Sequence, residues 1–243
     1  MLKLQFKNKK ALFCAIDMKE IDTAISLIHQ IKDYVDGVKL GMEAFYSMGI
    51  DGYKRIQDLQ LPIFLDLKLH DIPNTVSSSL ESLVGLKPYM INVHTLGGKN
   101  MLEDAVLSLN KISDDRPLLI GVTILTSMDK DSFYDLGLNV DIQKQVIELS
   151  KIAFNSGLDG VVCSALEAKY VKEFCGPGFL TVVPGIRPSG FANDDQKRMM
   201  SPINAMNNGA DILIVGRPIT NANSPVEVAK AIRKDLEDYD SKN

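Results

Sequence analysis

Residues 62–75 read Pro62-Ile63-Phe64-Leu65-Asp66-Leu67-Lys68-Leu69-His70-Asp71-Ile72-Pro73-Asn74-Thr75, an apolar run that passes through alternating charges into a proline. Side chains on a strand alternate between faces, so Asp66 and Lys68 belong to one side. Asp71 follows where the chain turns, and Pro73 suits the first turn of a helix, whose N–H has no partner to lose. The stretch is therefore one βα unit with an acid, a base and a second acid at the strand's C-terminal end. Its apolar residues do not alternate with polar ones on the other face, as expected of a strand covered on both sides.

The same pattern recurs along the chain. Apolar or β-branched runs fall at 11–17, 37–41, 62–68 and 90–95, then at 118–125, 160–165, 180–186 and 212–217. Between them lie stretches with helical spacing: Ile21, Ile25, Ile28 and Ile31; Val76, Leu80 and Leu83; and Ile142, Val146, Leu149, Ile152 and Ala153. Eight strands, each followed by a helical segment in a chain of 243 residues, predict an α/β fold: a (β/α)8 TIM barrel forming a single domain over 1–243. The early strands recur about every 25 to 28 residues and the later ones less regularly. A doubly wound open sheet is the structural alternative, but Asp17-Met18-Lys19-Glu20 is not the glycine-rich turn it usually carries after its first strand. No repeat is evident beyond the βα alternation.

In such a barrel the C-terminal strand ends carry the chemistry. Asp17 ends the first predicted strand, Lys39 lies in the second, and Asp66, Lys68 and Asp71 crowd the third. Charges of both signs in a barrel mouth must pair to offset desolvation. At the other side, Pro184-Gly185-Ile186-Arg187-Pro188 leaves strand seven and Val215-Gly216-Arg217-Pro218 leaves strand eight. Glycine admits an anion close to the backbone and arginine grips it with a planar fork, so these two places predict a phosphorylated ligand.

Other chemistries find less support. His29, His70 and His94 lack metal-ligand spacing, no serine-nucleophile signature occurs, and Cys14, Cys163 and Cys175 form no close pair. The 27 basic and 31 acidic side chains leave a formal charge of −4, which argues against bulk nucleic-acid binding. No apolar run approaches the roughly 20 residues of a membrane span, and the N-terminal one is too short for a secretory leader, so the expected location is cytoplasmic.

Taken together, the motifs resemble the orotidine 5′-monophosphate decarboxylase family in its bacterial form. The likeness runs from Asp17 through Arg217. Its most specific part is Asp66 to Thr75, joined by Thr123-Ile124-Leu125-Thr126-Ser127 and by Pro184 to Pro188 followed by Asp195-Gln196. The resemblance implies loss of CO2 from orotidine 5′-monophosphate to give uridine 5′-monophosphate, without metal or cofactor. It makes Lys68 the proton donor to C6 and sets Asp66 beside the departing carboxylate. Asp71 would come from the other subunit of a homodimer, and Lys39 would hold ribose and join the charge network. Substrate binding would fall to Asp17, Lys39, Asp66, Thr75, Thr126 and Ser127. Arg187, Gln196, Gly216 and Arg217 would take the phosphate, with Gln196 on a closing loop. Two alternatives stay open. Sister enzymes on the same barrel use magnesium held partly by a glutamate where this chain has Lys39. A non-catalytic sugar-phosphate binding barrel would have no need of a lysine set between carboxylates.

Overall fold

The computed structural model describes residues 10–112, 115–188 and 199–242. Eight parallel strands close into a barrel in chain order. They are β1 (Ala11–Ala15), β2 (Gly37–Gly41), β3 (Ile63–Leu69), β4 (Met90–His94), β5 (Leu118–Val122), β6 (Gly160–Val162), β7 (Leu180–Val183) and β8 (Ile212–Val215). The helices between them are α1 (Ile21–Ile31), α2 (Met42–Gln57), α3 (Pro73–Val84), α4 (Gly98–Ile112), α5 (Lys130–Asp135), α6 (Ile142–Asn155), α7 (Ala168–Cys175), α8 (Pro202–Asn207), α9 (Arg217–Thr220) and α10 (Pro225–Asp240). The predicted barrel is present, with a strand at each of the eight expected places.

Five strands stop two or three residues before their apolar runs do. A parallel ladder ends where its neighbour's backbone ends, whereas Ile124, Cys163, Ala165 and Ile186 stay buried in the loops that follow. The helical stripes also hold in outline. Ala24, Leu27, Ile28 and Ile31 are buried on α1, and Val76 and Leu80 on α3. On α6 the buried set is Val146, Leu149, Ser150 and Ala153. Ile152, placed on that stripe by its spacing, is exposed instead.

Alternation divides the core in two. Ala11, Phe13 and Ala15 of β1 point into the barrel with Phe64, Met90, Leu118, Ile120, Val182, Ile212 and Ile214, and Phe13 stacks on Tyr89 with ring centroids 6.1 Å apart. Leu12, Cys14, Ile16 and their equivalents face outward against the helices. The interior is thus filled below, and only its upper layer is open to a ligand.

The lower end carries a device that repeats by position. Asp36, Asp159 and Asp211 each stand immediately before an even-numbered strand, β2, β6 and β8. Each carboxylate accepts a backbone N–H from the preceding strand: Leu12 at 2.7 Å, Leu119 at 2.7 Å and Thr181 at 2.9 Å. Each also binds a cation, Arg233 at 2.6 Å, Arg116 at 2.6 Å and Lys172 respectively. One carboxylate thereby satisfies an unpaired strand-end amide and a partly buried cation together.

Candidate active site

The open upper layer forms a cleft of about 640 Å3 at the C-terminal strand ends. One wall is a chain of alternating charges. Lys39 Nζ lies 3.1 Å from Asp17 Oδ1 and 3.3 Å from Asp66 Oδ2, and Lys68 Nζ lies 2.7 Å from Asp66 Oδ1. Side-chain exposure falls from 50% at Asp17 to 12% at Lys39 and 11% at Asp66, then rises to 28% at Lys68. The two most desolvated members therefore each have opposite charges on both sides.

That order governs their ionisation. Burial alone pushes the Lys39 ammonium down, but the carboxylates of Asp66 and Asp17 outweigh it and hold its pKa above the usual value. Burial likewise pushes the Asp66 carboxyl up, and Lys39 and Lys68 outweigh it, with hydrogen bonds from Lys68 and Asn92, to leave it low. Both groups stay charged in a nearly dry wall.

Backbone geometry brings these groups together. Asp66 and Lys68 meet as the sequence predicts, though not by regular alternation. The β3–β4 register shifts between Leu65 and Leu69, and Lys68 adopts a left-handed φ of 53°. Gly41 ends β2 so close to the ion pair that a Cβ there would lie 2.9 Å from both Asp17 Oδ1 and Lys39 Nζ. A larger residue there would displace the end of one or both side chains.

The facing wall is apolar, made by Val122, Ile124, Val162, Val182 and Ile214, with Thr126 and Ser127 above it. Beyond it Arg187, Gly216 and Arg217 complete the rim at the ends of β7 and β8. A ligand suited to this cleft has a flat body, polar substituents toward the charged wall and an anion at the arginine rim.

Two predicted residues lie elsewhere. Asp71 and Thr75 are exposed and do not line the cleft of their own chain, because the β3–α3 turn and α3 lead away from the mouth. Asp71 Oδ1 accepts the Ile72 N–H at 2.7 Å. Gln196 lies outside the described residues.

Three cleft or wall residues were missed. Asn92, completely buried in β4, donates to Asp66 Oδ1 at 2.6 Å and accepts the Lys68 N–H at 2.7 Å. Its signal was a lone amide inside the apolar run Met90-Ile91-Asn92-Val93. Glu43 and Asn221 line the rim, and nothing in their sequence surroundings marks them. His70 and His94 stack at 5.3 Å beside the charged wall. Burial, then His70 and Lys68, hold the His94 pKa down at about 4. Among the described residues no group of three or more His, Cys, Asp or Glu side chains is arranged to hold a metal ion.

Comparison with known proteins adds an independent line. The sequence model described as "Orotidine 5'-phosphate decarboxylase / HUMPS family" matches residues 10–232. The chain is 44% identical to an orotidine 5′-phosphate decarboxylase of Wolbachia sp. subsp. Brugia malayi (strain TRS), over 93% of this chain and 98% of the relative. Against the enzyme so named from Pseudoalteromonas translucida (strain TAC 125) identity is 42%, over 96% and 100%. A crystal structure of orotidine 5′-phosphate decarboxylase from Lactobacillus acidophilus superposes with a TM-score of 0.81 at 36% identity, covering 94% of this chain and 99% of that one.

Proposed function

The chain belongs to the orotidine 5′-phosphate decarboxylase / HUMPS family, on its decarboxylase side and in the setting of pyrimidine biosynthesis, and from that premise we propose that Lys68 carries out the chemistry. The observation that carries the reading is the Lys68 ammonium 2.7 Å from Asp66 at the end of an alternating charge chain, facing an apolar wall. Orotidine 5′-monophosphate would lie with its pyrimidine against that wall and its phosphate between Arg187 and Arg217. Asp17 and Lys39 would take the ribose hydroxyls, and Thr126 and Ser127 the base.

The C6–CO2⁻ bond breaks, CO2 leaves, and the electron pair remains on C6. Lys68 stabilises that charge as it develops and transfers its proton to C6, and the resulting amine regains a proton from water. Asp66 holds the ammonium in place before the transfer. Lys39 already serves as the cation between two carboxylates, so no metal is assigned a part. Contacts to the remote phosphate supply binding energy that orients the reacting ring.

Asp71 and Thr75 are assigned to the mouth of a second copy in a twofold dimer. Both are exposed, and so are the apolar side chains of Ile72, next to Asp71 in the chain, and Leu96, just past the end of β4. We read 1–243 as one barrel domain acting in the cytoplasm; no helix among the described residues is long and apolar enough to cross a membrane.

The test is ultraviolet monitoring of orotidine 5′-monophosphate conversion by the purified protein, with its binding followed by calorimetry. Separately, CO2 release is followed from 3-keto-gulonate phosphate, a substrate of the sister enzymes on this barrel, in the presence of magnesium. Conversion of the first alone to uridine 5′-monophosphate is expected. Turnover of only the second moves the chain to the sister branch, and binding of the first without turnover leaves a carrier.

A further inference from the structure

Strand β3 carries an irregularity at the residue on which the proposed chemistry depends. Phe64 pairs with Met90 and Leu65 with Ile91, but the next partners are Leu69 and Val93. The chain advances four residues along β3 against two along β4. Lys68 lies in the surplus, with φ 53°, a conformation that L side chains seldom adopt. Among the described residues the other non-glycine ones with positive φ, Gln60 and Lys87, lie outside helices and strands. A bulge of this kind takes the Lys68 N–H away from the backbone ladder that would otherwise accept it. Strain held beside reacting groups persists only where surrounding structure dictates it.

We propose that Asn92 is a positioning residue for Lys68, supplying by its side chain the acceptor that the bulge removes and coupling it to the Asp66 carboxylate. Asn92 is the β4 residue opposite the surplus, between Ile91 and Val93. Its Oδ1 accepts the Lys68 N–H at 2.7 Å, and its Nδ2 donates to Asp66 Oδ1 at 2.6 Å. The same Asp66 oxygen receives Lys68 Nζ at 2.7 Å. The ring is closed: Lys68 is fixed at its backbone through Asn92 and at its ammonium through Asp66, and these two fix each other. Only one orientation of the amide serves both partners, since a backbone N–H needs an oxygen and a carboxylate needs a donor. A completely buried amide is costly unless bonded at both ends, and Asn92 is. An aliphatic residue would suit the apolar run equally well for folding; the amide is what the Lys68 turn requires.

The inference rests on Lys68 being the proton donor, and its test separates the two claims. Asn92→Leu has similar volume and removes both contacts. It should lower kcat about 100-fold, the scale expected when a reacting group is displaced by about an ångström. KM and the affinity for uridine 5′-monophosphate should stay within about twofold, because Asn92 does not line the cleft. In ¹⁵N-lysine-labelled protein the Lys68 amide should exchange with solvent at least about tenfold faster than in the wild type, while labelled lysines outside β3 and β4 keep their rates. If Asn92→Leu does not fold, Asn92→Ser carries the same test, with a kcat loss of at least about tenfold. Unchanged kcat, an equal loss of product affinity, or unaltered Lys68 exchange would each overturn the positioning role. Full activity of Lys68→Ala would instead overturn the proton-donor reading, whatever Asn92 does.

Discussion

At the lower end of the barrel Asp36, Asp159 and Asp211 each accept one strand amide and bind a cation. At the upper end Asp66 also binds cations, but its side chain takes hydrogen bonds from Lys68 and Asn92 and, among the described residues, from no strand amide. The residue types are the same and the attachments differ. Below, each carboxylate is spent on the backbone, and its cation spans two elements, as Arg233 does from α10 and Lys172 from α7. Above, Lys39 and Lys68 converge on one carboxylate and face open space, an arrangement that stabilises little by itself but keeps a cation aimed at whatever enters. Ion pairs are therefore no index of purpose in this fold; what each carboxylate does for the main chain separates the two ends.

The comparison breaks most visibly in a mixing experiment. Lys68→Ala and Asp71→Asn should each be inactive alone. With random subunit exchange, heterodimers hold one doubly damaged and one intact site, so activity should return to about a quarter of wild type. No recovery, with exchange confirmed by mass spectrometry, would put Asp71 to work in its own chain. The far rim should respond next. Arg217→Ala should lose about 3 kcal/mol in kcat/KM on orotidine 5′-monophosphate and almost nothing on orotidine, as expected for a charge-assisted phosphate contact. Equal losses on both would remove the phosphate from that rim.

The lower end should show the reverse pattern. Arg116 is 6% exposed and grips Asp159 with two nitrogens, at 2.6 and 3.3 Å. Arg116→Ala should cost about 3 kcal/mol of stability, roughly 6–12 °C in Tm, with kcat unchanged. A fall in kcat at unchanged Tm would erase the distinction between the ends.

The smallest effect belongs to His94, which takes its proton near 6.5 in the unfolded chain and at about 4 in the folded one. Between those values the unfolded chain binds more protons, so His94 adds stability above pH 6.5 that is lost as pH falls toward 4. Denaturation at pH 7 and 5 should show wild type losing about 1 kcal/mol more than His94→Gln, after allowance for solvent screening. Identical losses would mean that His94 is not held neutral by the fold.

Much of this was legible from residue order. Strands covered on both faces read as unbroken apolar runs, and a charge inside such a run stands out, which is how Asp17, Lys39, Asp66 and Lys68 were found. Strand ends were not legible, since Ile124 and Ile186 are as buried in loops as on strands. The left-handed turn at Lys68 was hidden because regular alternation and the bulge both bring Asp66 and Lys68 together. Asn92 reads as part of an apolar strand, though an amide between Ile91 and Val93 needs partners. The lower aspartates escaped because Val35-Asp36-Gly37, Leu158-Asp159-Gly160 and Ala210-Asp211-Ile212 look like ordinary turns into strands. Their role depends on cations 39 to 201 residues distant in sequence, Lys10 to Asp211 being the widest span.

The central claim is that the upper charges serve chemistry and that Lys68 performs it. The direct measurement is turnover of orotidine 5′-monophosphate by Lys68→Ala, with its Tm taken on the same sample. A loss of at least about 10⁴-fold, roughly 5.4 kcal/mol of transition-state stabilisation, at a Tm near that of the wild type is the predicted result. Turnover within about tenfold of wild type by the folded variant would contradict it.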